Sequence, residues 1–231
     1  MGTLPIGDGI ARKRQLPTLA EEIKLGERGY DLIAGIDEVG RGPLAGPLLA
    51  AAIILPANTS QPWMEMVQDS KRLLPKKREF LFYHLQETAL AIGIGSVPPQ
   101  YIDVYGVVMA TRMAMSMAVR NLRTPPQFLL IDAFTIPGVK LPQRGIVHGD
   151  ATCLSIASAS IIAKVTRDRI MGEWHQVYPG YGFAQHKGYA TPEHLDNLSR
   201  LGPSQIHRKS FAPVREFLEG NHIRRLSRTE G

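Results

Sequence analysis

The sequence is poor in cysteine: its 231 residues include only Cys153, which excludes an internal disulfide and a cysteine-rich zinc site. It also lacks any apolar run of about 18 residues or more, so no transmembrane helix is expected. Residues 1–17 lack the apolar core of a signal peptide. These absences predict a protein that does not enter a membrane and that works in a reducing compartment, the cytoplasm.

Acidic residues are in the minority. Lysine and arginine number 27 against 21 aspartates and glutamates, which gives a net charge of +6 and a pI of about 9.5. This excess suits a polyanionic partner such as nucleic acid, but it leaves an enzyme and a simple binding protein both open. With 44% hydrophobic residues, the chain can form a packed core.

Short apolar runs that end at glycine or proline alternate with helical patterns, which is typical of α/β proteins. The predicted strands lie in residues 31–40, 47–56, 90–97, 128–134 and 145–150, and the predicted helices in 76–89, 102–122 and 155–174. Glycine and proline punctuate the chain after Tyr178. We therefore expect an N-terminal extension (1–28) with a short helix at 19–25, a main α/β domain (29–177), and a small C-terminal helical subdomain with a basic tail (178–231).

Carboxylates stand at the carboxyl ends of three predicted strands. Asp37 and Glu38 end the first, Asp132 the fourth and Asp150 the fifth. Sheets of α/β proteins bind ligands at this edge, and four carboxylates gathered there would raise one another's pKa. A divalent cation relieves that repulsion, and oxygen ligands without histidine or cysteine favour Mg²⁺ or Mn²⁺ over Zn²⁺. The pattern therefore predicts a magnesium or manganese site.

Each acid also has an ordinary structural explanation. A single aspartate at a strand end is commonly a turn former or a helix cap, and Asp150 could cap the helix that follows it. Asp37 and Glu38 are adjacent, so a regular strand would direct their side chains to opposite faces. They can share a site if the strand breaks there, which Gly40 allows, or if one contributes a backbone oxygen. The same chemistry at three strand ends favours the metal site.

The segment GRGPLAG at residues 40–46 has two interpretations. Its glycine spacing resembles a dinucleotide-binding fingerprint, but that motif needs a helix directly afterwards, and here Pro47 leads into a predicted strand. The alternative is a tight loop whose amides approach a sugar-phosphate backbone, with Arg41 binding a phosphate. A plain turn explains Gly40 and Gly42 but not the arginine between them.

Taken in order, the motifs resemble one family. The blocks are IAGIDEVGRGPLAGP, DSK at 69–71, LLIDA, GD followed by SIASASIIAKVTRDR, then YGFAQHKGY and HRKSFAPV. They are similar to those of the type II ribonucleases H, occur in that family's order and cover residues 30–217. The resemblance implies a ribonuclease H-like fold, with a five-stranded mixed sheet flanked by helices and a small C-terminal helical subdomain.

The resemblance also implies an activity. The family hydrolyses the RNA strand of RNA–DNA hybrids and cuts 5′ to ribonucleotides embedded in duplex DNA. Two metal ions would act on the scissile phosphate, leaving 5′-phosphate and 3′-hydroxyl ends. The implied metal ligands and catalytic residues are Asp37, Glu38, Asp132 and Asp150.

Substrate recognition follows from the same resemblance. The turn Gly40-Arg41-Gly42 would sense the ribose 2′-hydroxyl through backbone groups, and Tyr189 would stack on the neighbouring sugar and favour an RNA-to-DNA junction. Expected phosphate contacts are Lys71, Lys164 and Lys187, with Arg167, Arg169, Arg208 and Lys209 as further candidates. Solvated surface charge is an equal alternative for the three arginines. A zinc site at His186, His194 and His207 is not expected, because their spacing matches no ligand pattern.

The chain departs from the family pattern at three positions. Ala133 stands where glycine is common after the aspartate, which restricts that turn. His148 replaces a frequent lysine, so that a local positive charge becomes pH-dependent. Gly106 replaces a usual asparagine, which would weaken a helix start.

Three functions compete at this point. A metal-dependent endoribonuclease and a non-catalytic RNA–DNA hybrid-binding module both suit the positive charge, whereas a nucleotide-dependent dehydrogenase rests only on glycine spacing. The four acids favour the nuclease, because a pure binder gains nothing from anions that face phosphate. The expected partners are RNA–DNA hybrid and ribonucleotide-containing duplex DNA. With no heptad repeat or apparent apolar patch, we expect a monomer.

Overall fold

The computed structural model of the protein describes residues 16–57 and 59–220. The described strands are β1 (Ile33–Val39), β2 (Leu48–Ile54), β3 (Ala91–Val97), β4 (Phe128–Asp132) and β5 (Gln143–Ile146). They form one sheet in the order β3-β2-β1-β4-β5. The β1–β2 and β2–β3 pairs are antiparallel, whereas β1–β4 and β4–β5 are parallel. The predicted five-stranded mixed sheet is confirmed.

Helices cover both faces of this sheet. Those in the described residues are α1 (Ala20–Gly26), α2 (Pro75–Thr88), α3 (Pro99–Arg120), α4 (Gly149–Thr152), α5 (Leu154–Val177), α6 (Phe183–His186), α7 (Pro192–Leu201) and α8 (Ala212–Leu218). Four of them, α2, α3, α7 and α8, carry proline in the first turn, where the missing amide donor costs no hydrogen bond. Short 3-10 turns cover Pro62–Met66, Ser70–Arg72 and Pro179–Tyr181.

The interior strand β2 is buried on both faces, which explains its continuous apolar sequence. Its residues alternate between two cores: Leu49, Ala51 and Ile53 pack with residues of α2 and α5, whereas Leu48, Ala50, Ala52 and Ile54 pack with residues of α3. A strand, and not the Gly-loop helix of a dinucleotide site, therefore follows Pro47. This arrangement removes the dehydrogenase hypothesis.

Two glycines bring the covering helices against the sheet. A Cβ atom on Gly35 of β1 would overlap the backbone of Ser155 in α5. On the other face, a Cβ atom on Gly95 of β3 would overlap the carbonyl oxygen of Ala114 in α3. The backbones of α5 and α3 therefore lie directly on the sheet.

By length and composition alone, helix α3 is long and apolar enough to cross a membrane. Its residues Ala110, Ala114 and Ala118 are buried against the sheet, as in a core helix. The helix is interrupted at Gly106, whose φ of 75° and ψ of 162° are accessible essentially to glycine alone. The prediction of one continuous helix over 102–122 is therefore wrong at this position.

The fifth strand ends earlier than predicted. β5 stops at Ile146, and Asp150 lies on the short helix α4 instead of at a strand end. Between them, His148 adopts a left-handed conformation with φ 56°, which turns the chain out of the sheet. The prediction of a strand over 145–150 is wrong in its second half for this reason.

The N-terminal extension docks on the α/β body through α1, close to the predicted helix at 19–25. Leu25 is buried, and Glu22 Oε1 accepts a hydrogen bond from the Ser155 amide at 2.9 Å. The rest of the predicted extension, residues 1–15, and the predicted basic tail, in residues 221–231, lie outside the described residues.

Candidate metal centre and nucleic-acid interface

Three carboxylates converge at one edge of the sheet. Asp37 and Glu38 are consecutive residues of β1, and Asp132 ends β4. One carboxylate oxygen from each lies within 4.8 Å of those of the other two. Oxygens at this separation can bind one cation together.

The strand does not break at the two adjacent acids, although such a break was one of the two arrangements expected to let them share a site. β1 continues to Val39 beside β2, but its pairing with β4 ends at Ile36 opposite Ile131. The flank of β1 towards β4 is therefore open where Asp37 and Glu38 begin. The two side chains leave β1 on alternate faces, yet both carboxylates reach this open flank.

The electrostatics show strong repulsion within the cluster. Burial raises the pKa of Asp37 well above its usual value, and the charges of Glu38, Asp132 and Asp150 add to the rise. Burial also raises the pKa of Glu38, although the charge of Arg41 opposes this. The protein alone therefore holds these groups ionised only against a free-energy cost, which a cation would offset.

The donor set fits a hard divalent cation. All three groups offer oxygen, and Glu38 Oε2 is buried without a hydrogen-bond partner among the described residues. Its other oxygen accepts a hydrogen bond from Arg41 Nη1 at 3.2 Å. A buried carboxylate oxygen without a donor is costly, and a metal ion would satisfy it.

Asp150 borders this cluster without belonging to the group within 4.8 Å. Burial raises its pKa, and the charges of Asp132 and Asp69 raise it further. Asp132 Oδ1 accepts a hydrogen bond from the Gly149 amide at 2.8 Å, which ties α4 to the end of β4. The acids are therefore one electrostatic group, although Asp150 stands further out.

Lys71 lies in the field of the acids. Burial alone would lower its pKa, but the charges of Asp37, Asp69, Asp150 and Glu38 raise it overall. Asp69, which the sequence reasoning did not include, caps the Ser70–Arg72 turn by accepting from the Lys71 amide at 2.9 Å. The DSK motif thus places an ammonium group beside the carboxylates.

The Gly40-Arg41-Gly42 turn and Tyr189 meet beside the acid cluster. A Cβ atom on Gly42 would lie 3.8 Å from a ring carbon of Tyr189, whose side chain is exposed. Arg41 contacts Glu38 and lies over the Phe134 ring, 5.1 Å from its centre. The structure therefore brings together the turn and the tyrosine that the sequence predicts to read the substrate.

Lys164 and Lys187 lie in a separate groove of about 540 Å³ between α2, α5 and α6. Arg78 and Arg169 also line it. Lys164 Nζ pairs with Asp168 at 2.6 Å, and Lys187 Nζ donates to the Ala184 carbonyl at 2.7 Å. Both lysines thus lie in a basic groove that is not lined by the carboxylates that raise the pKa of Lys71.

Two of the arginines considered for phosphate contacts are buried instead. Arg167 and Arg208 have no exposed surface, and their guanidinium groups donate to backbone carbonyls. The interpretation of these two as phosphate contacts or surface charge is wrong. By contrast, Arg169 is exposed, pairs with Glu79 and lies over the Phe82 ring.

Three histidines of the C-terminal region come together in a hydrogen-bonded network. His186 and His194 stack with ring centres 4.3 Å apart, and His194 Nε2 lies 3.0 Å from His207 Nε2. His194 Nδ1 donates to the Tyr189 carbonyl, so its Nε2 carries no proton and accepts. His207 Nδ1 accepts from the Ser204 amide, so its Nε2 carries the proton and donates to His194 Nε2. Every ring nitrogen has a protein partner, including both of His186, so none is free for zinc.

Comparisons with known proteins agree with this geometry. A family model described as Ribonuclease HII matches residues 34–214. A protein named Ribonuclease HII from Dehalococcoides mccartyi is 50% identical over 204 residues, covering 88% of this chain and 96% of its own. One from Desulfitobacterium hafniense is 53% identical over 201 residues, covering 87% and 76%. The crystal structure of ribonuclease H2 from Pyrococcus horikoshii OT3 superimposes with a TM-score of 0.70 at 28% identity, covering 82% and 98%.

Proposed function

Because the chain belongs to the ribonuclease HII family, we propose that it hydrolyses the RNA strand of RNA–DNA hybrids and cuts 5′ to single ribonucleotides in duplex DNA. The observation that carries the proposal is the cluster of Asp37, Glu38 and Asp132 oxygens within 4.8 Å. It lies beside the Gly40–Gly42 turn and Tyr189. A non-catalytic binding module would gain nothing from buried carboxylates that repel its own ligand.

In the proposed reaction Asp37, Glu38, Asp132 and Asp150 hold divalent cations, Mg²⁺ or Mn²⁺. When bound, such ions activate water, neutralise the phosphate and stabilise the leaving 3′-oxygen, so the products carry 5′-phosphate and 3′-hydroxyl ends. Glu38 is oriented by Arg41, and Asp132 is oriented by the Gly149 amide. These two contacts hold the carboxylates in place before any ligand arrives.

The chain's own groups would select the substrate. Backbone groups of Gly40, Arg41 and Gly42 read the 2′-hydroxyl, which distinguishes a ribonucleotide from a deoxyribonucleotide. Tyr189 packs on the next sugar, where a 2′-hydroxyl would interfere. Lys71 binds a phosphate near the acids, and Lys164 and Lys187 bind phosphates in the separate basic groove.

The decisive substrate is duplex DNA that carries one ribonucleotide, incubated with Mg²⁺ or Mn²⁺. We expect cleavage 5′ to the ribonucleotide. Binding without cleavage would favour the hybrid-binding module, and neither binding nor cleavage would contradict both.

Changing Asp132 to asparagine tests the ligand assignment. Asp132→Asn keeps the Oδ1 acceptor for Gly149 but removes the charge, so turnover should fall by a factor of about 10² or more while duplex binding persists. Steady-state cleavage and fluorescence anisotropy measure the two properties. Asp196→Asn, the same change at an exposed position on α7, is the matched control and should leave both unchanged. Full activity of Asp132→Asn would contradict the assignment.

We also propose that the enzyme works in the cytoplasm, because its one cysteine is buried and suits a reducing compartment. We further propose that it is a monomer. A dimer would have an available surface in the exposed apolar side chains of α3: Tyr101, Val104, Tyr105, Val108 and Met109. Light scattering coupled to gel filtration distinguishes the two states.

A further inference from the structure

Arg167 and Arg208 are buried charges without a carboxylate partner. Neither takes part in an ion pair among the described residues, and both are fully inaccessible to solvent. A buried guanidinium is costly unless its donors are satisfied. Backbone carbonyls satisfy these two, and the carbonyls belong to the segments that would read the substrate.

Arg208 is bonded to the Gly40–Gly46 loop at three residues. Its Nη2 donates to the Gly40 carbonyl at 2.6 Å, and its Nη1 donates to the Arg41 carbonyl at 2.9 Å. Nε and Nη2 both donate to the Gly46 carbonyl, at 3.1 and 2.9 Å. One planar side chain therefore fixes both ends of the loop.

Arg167 joins this loop to the segment that carries Tyr189. Its Nε donates to the Pro47 carbonyl at 3.0 Å and its Nη2 to the Ala45 carbonyl at 3.1 Å. Its Nη1 donates to the carbonyl of Lys187, two residues before Tyr189, at 3.0 Å. The loop and the tyrosine segment thus share one guanidinium.

Glycines make room for these side chains. A Cβ atom on Gly40 would overlap Arg167 Nε, whereas one on Gly46 would overlap Met171 Sδ and lie 3.3 Å from Arg167 Nη2. Both glycines also have positive φ, at 88° and 86°. Gly40 and Gly46 are therefore explained by the packing of Arg167 and Met171 beneath the loop.

We propose that Arg167 and Arg208 are positioning residues that fix the Gly40-Arg41-Gly42 turn relative to Tyr189 and thereby set the preference for an RNA-to-DNA junction over a continuous hybrid. This proposal rests on the proposed function. The arginines touch neither the carboxylates nor the substrate. They act by holding carbonyls whose neighbouring groups would contact adjacent sugars, where a shift of about 1 Å is costly.

The test uses the full chain and two substrates of equal length: duplex DNA with one ribonucleotide, and a continuous RNA–DNA hybrid. Arg208→Lys and Arg167→Lys keep the charge but replace the planar fork with one ammonium group. We expect the ratio of kcat/KM on the first substrate to that on the second to fall at least about tenfold in each variant. The kcat on the hybrid should stay within about threefold of the unmodified protein.

A double variant separates positioning from general damage. Tyr189→Ala should lower the same ratio, and adding Arg208→Lys to it should lower the ratio little further, because both changes remove one recognition element. Independent, multiplied losses would contradict the proposal.

Leu81→Ala is the control for stability, since Leu81 is buried in α2 within a different core. It should lower thermal stability without changing the substrate ratio. Equal losses on both substrates in the arginine variants, or the same ratio change in Leu81→Ala, would make the arginines merely structural. An unmodified protein that cuts neither substrate would instead overturn the proposed function, and this proposal with it.

Discussion

Ala133, directly after the candidate ligand Asp132, adopts a left-handed backbone conformation with φ 56°. A Cβ atom in this conformation costs about 1–2 kcal/mol. The restriction predicted from the sequence at this turn is therefore confirmed. The strain falls on the turn that leads away from this candidate ligand.

Changing Ala133 to glycine should relieve that strain. We expect Ala133→Gly to raise the free energy of unfolding by about 0.5–1 kcal/mol, the relief being partly offset by the greater freedom of glycine in the unfolded chain. Urea unfolding measures the change. Ala212→Gly, at an exposed position that begins α8, should instead lower stability. Similar losses in both variants would show that the turn is not strained.

Single residues were predictable from the sequence where their chemistry is local. Asp37, Glu38 and Asp132 stand out because charge follows an apolar run, and the structure brings their oxygens together. Arg167 and Arg208 could not be recognised, because all their carbonyl partners but that of Lys187 lie 120 to 168 positions away. A backbone carbonyl leaves no mark on the sequence, so a buried arginine looks the same as a surface one.

Among the elements, β3 and α3 make the closest contact of helix and sheet. Gly95 allows it, because a Cβ atom there would overlap the Ala114 carbonyl oxygen and lie 2.8 Å from the Ala118 amide nitrogen. Both neighbours are helix backbone, which cannot move aside as a side chain does. The helix as a whole would have to retreat from the sheet.

Gly95→Ala should therefore destabilise the protein strongly. We expect a loss of about 3 kcal/mol or more, at the upper end of what overpacking costs. Gly172→Ala is the matched control, because a Cβ atom on that residue of α5 meets nothing within 4 Å. It should be neutral or stabilising by up to about 1 kcal/mol. Thermal unfolding of both variants measures the difference, and equal effects would contradict the close packing.

Strands and helices with strong apolar patterns were predictable, including β2 and α5. The errors occur where one residue overrides the pattern. The left-handed His148 ends β5 early and places Asp150 on α4, and the extended Gly106 interrupts α3. Neither conformation follows from hydrophobic periodicity, which describes faces and not single dihedral angles.

At the scale of the whole molecule, the histidine network makes stability depend on pH. Burial, together with the charge of the neighbouring histidines, lowers the pKa of His194 to about 4 and that of His207 to about 3. Both lie below the unfolded value of about 6.5, so the unfolded chain binds more protons between these limits. Stability from this network is present above about pH 6.5 and is lost as pH falls towards 4.

Each histidine should contribute a slope of about 1.4 kcal/mol per pH unit in that window. The carboxyl groups of Asp37, Glu38 and Asp150 have raised pKa values, so they make the metal-free protein less stable as pH rises, which opposes the histidine effect. The histidine contribution is therefore measured as the difference between a variant and the unmodified protein. Urea unfolding from pH 7 to 4.5 should show a flatter profile for His207→Gln than for the unmodified protein. His84→Gln, at a half-exposed position, is the control and should keep the original slope. An unchanged slope in His207→Gln would contradict the assignment.

The bonds between Arg208 and the Gly40–Gly46 loop also order events during synthesis. They join groups separated by 162 to 168 positions, whereas the four candidate metal ligands all lie before residue 151. As the chain leaves the ribosome, all four candidate ligands emerge long before the arginine that holds the Gly40–Gly46 loop. The candidate metal centre can assemble first, and the proposed substrate-reading loop is fixed last, so a chain truncated ahead of Arg208 would keep its four acids without a fixed loop.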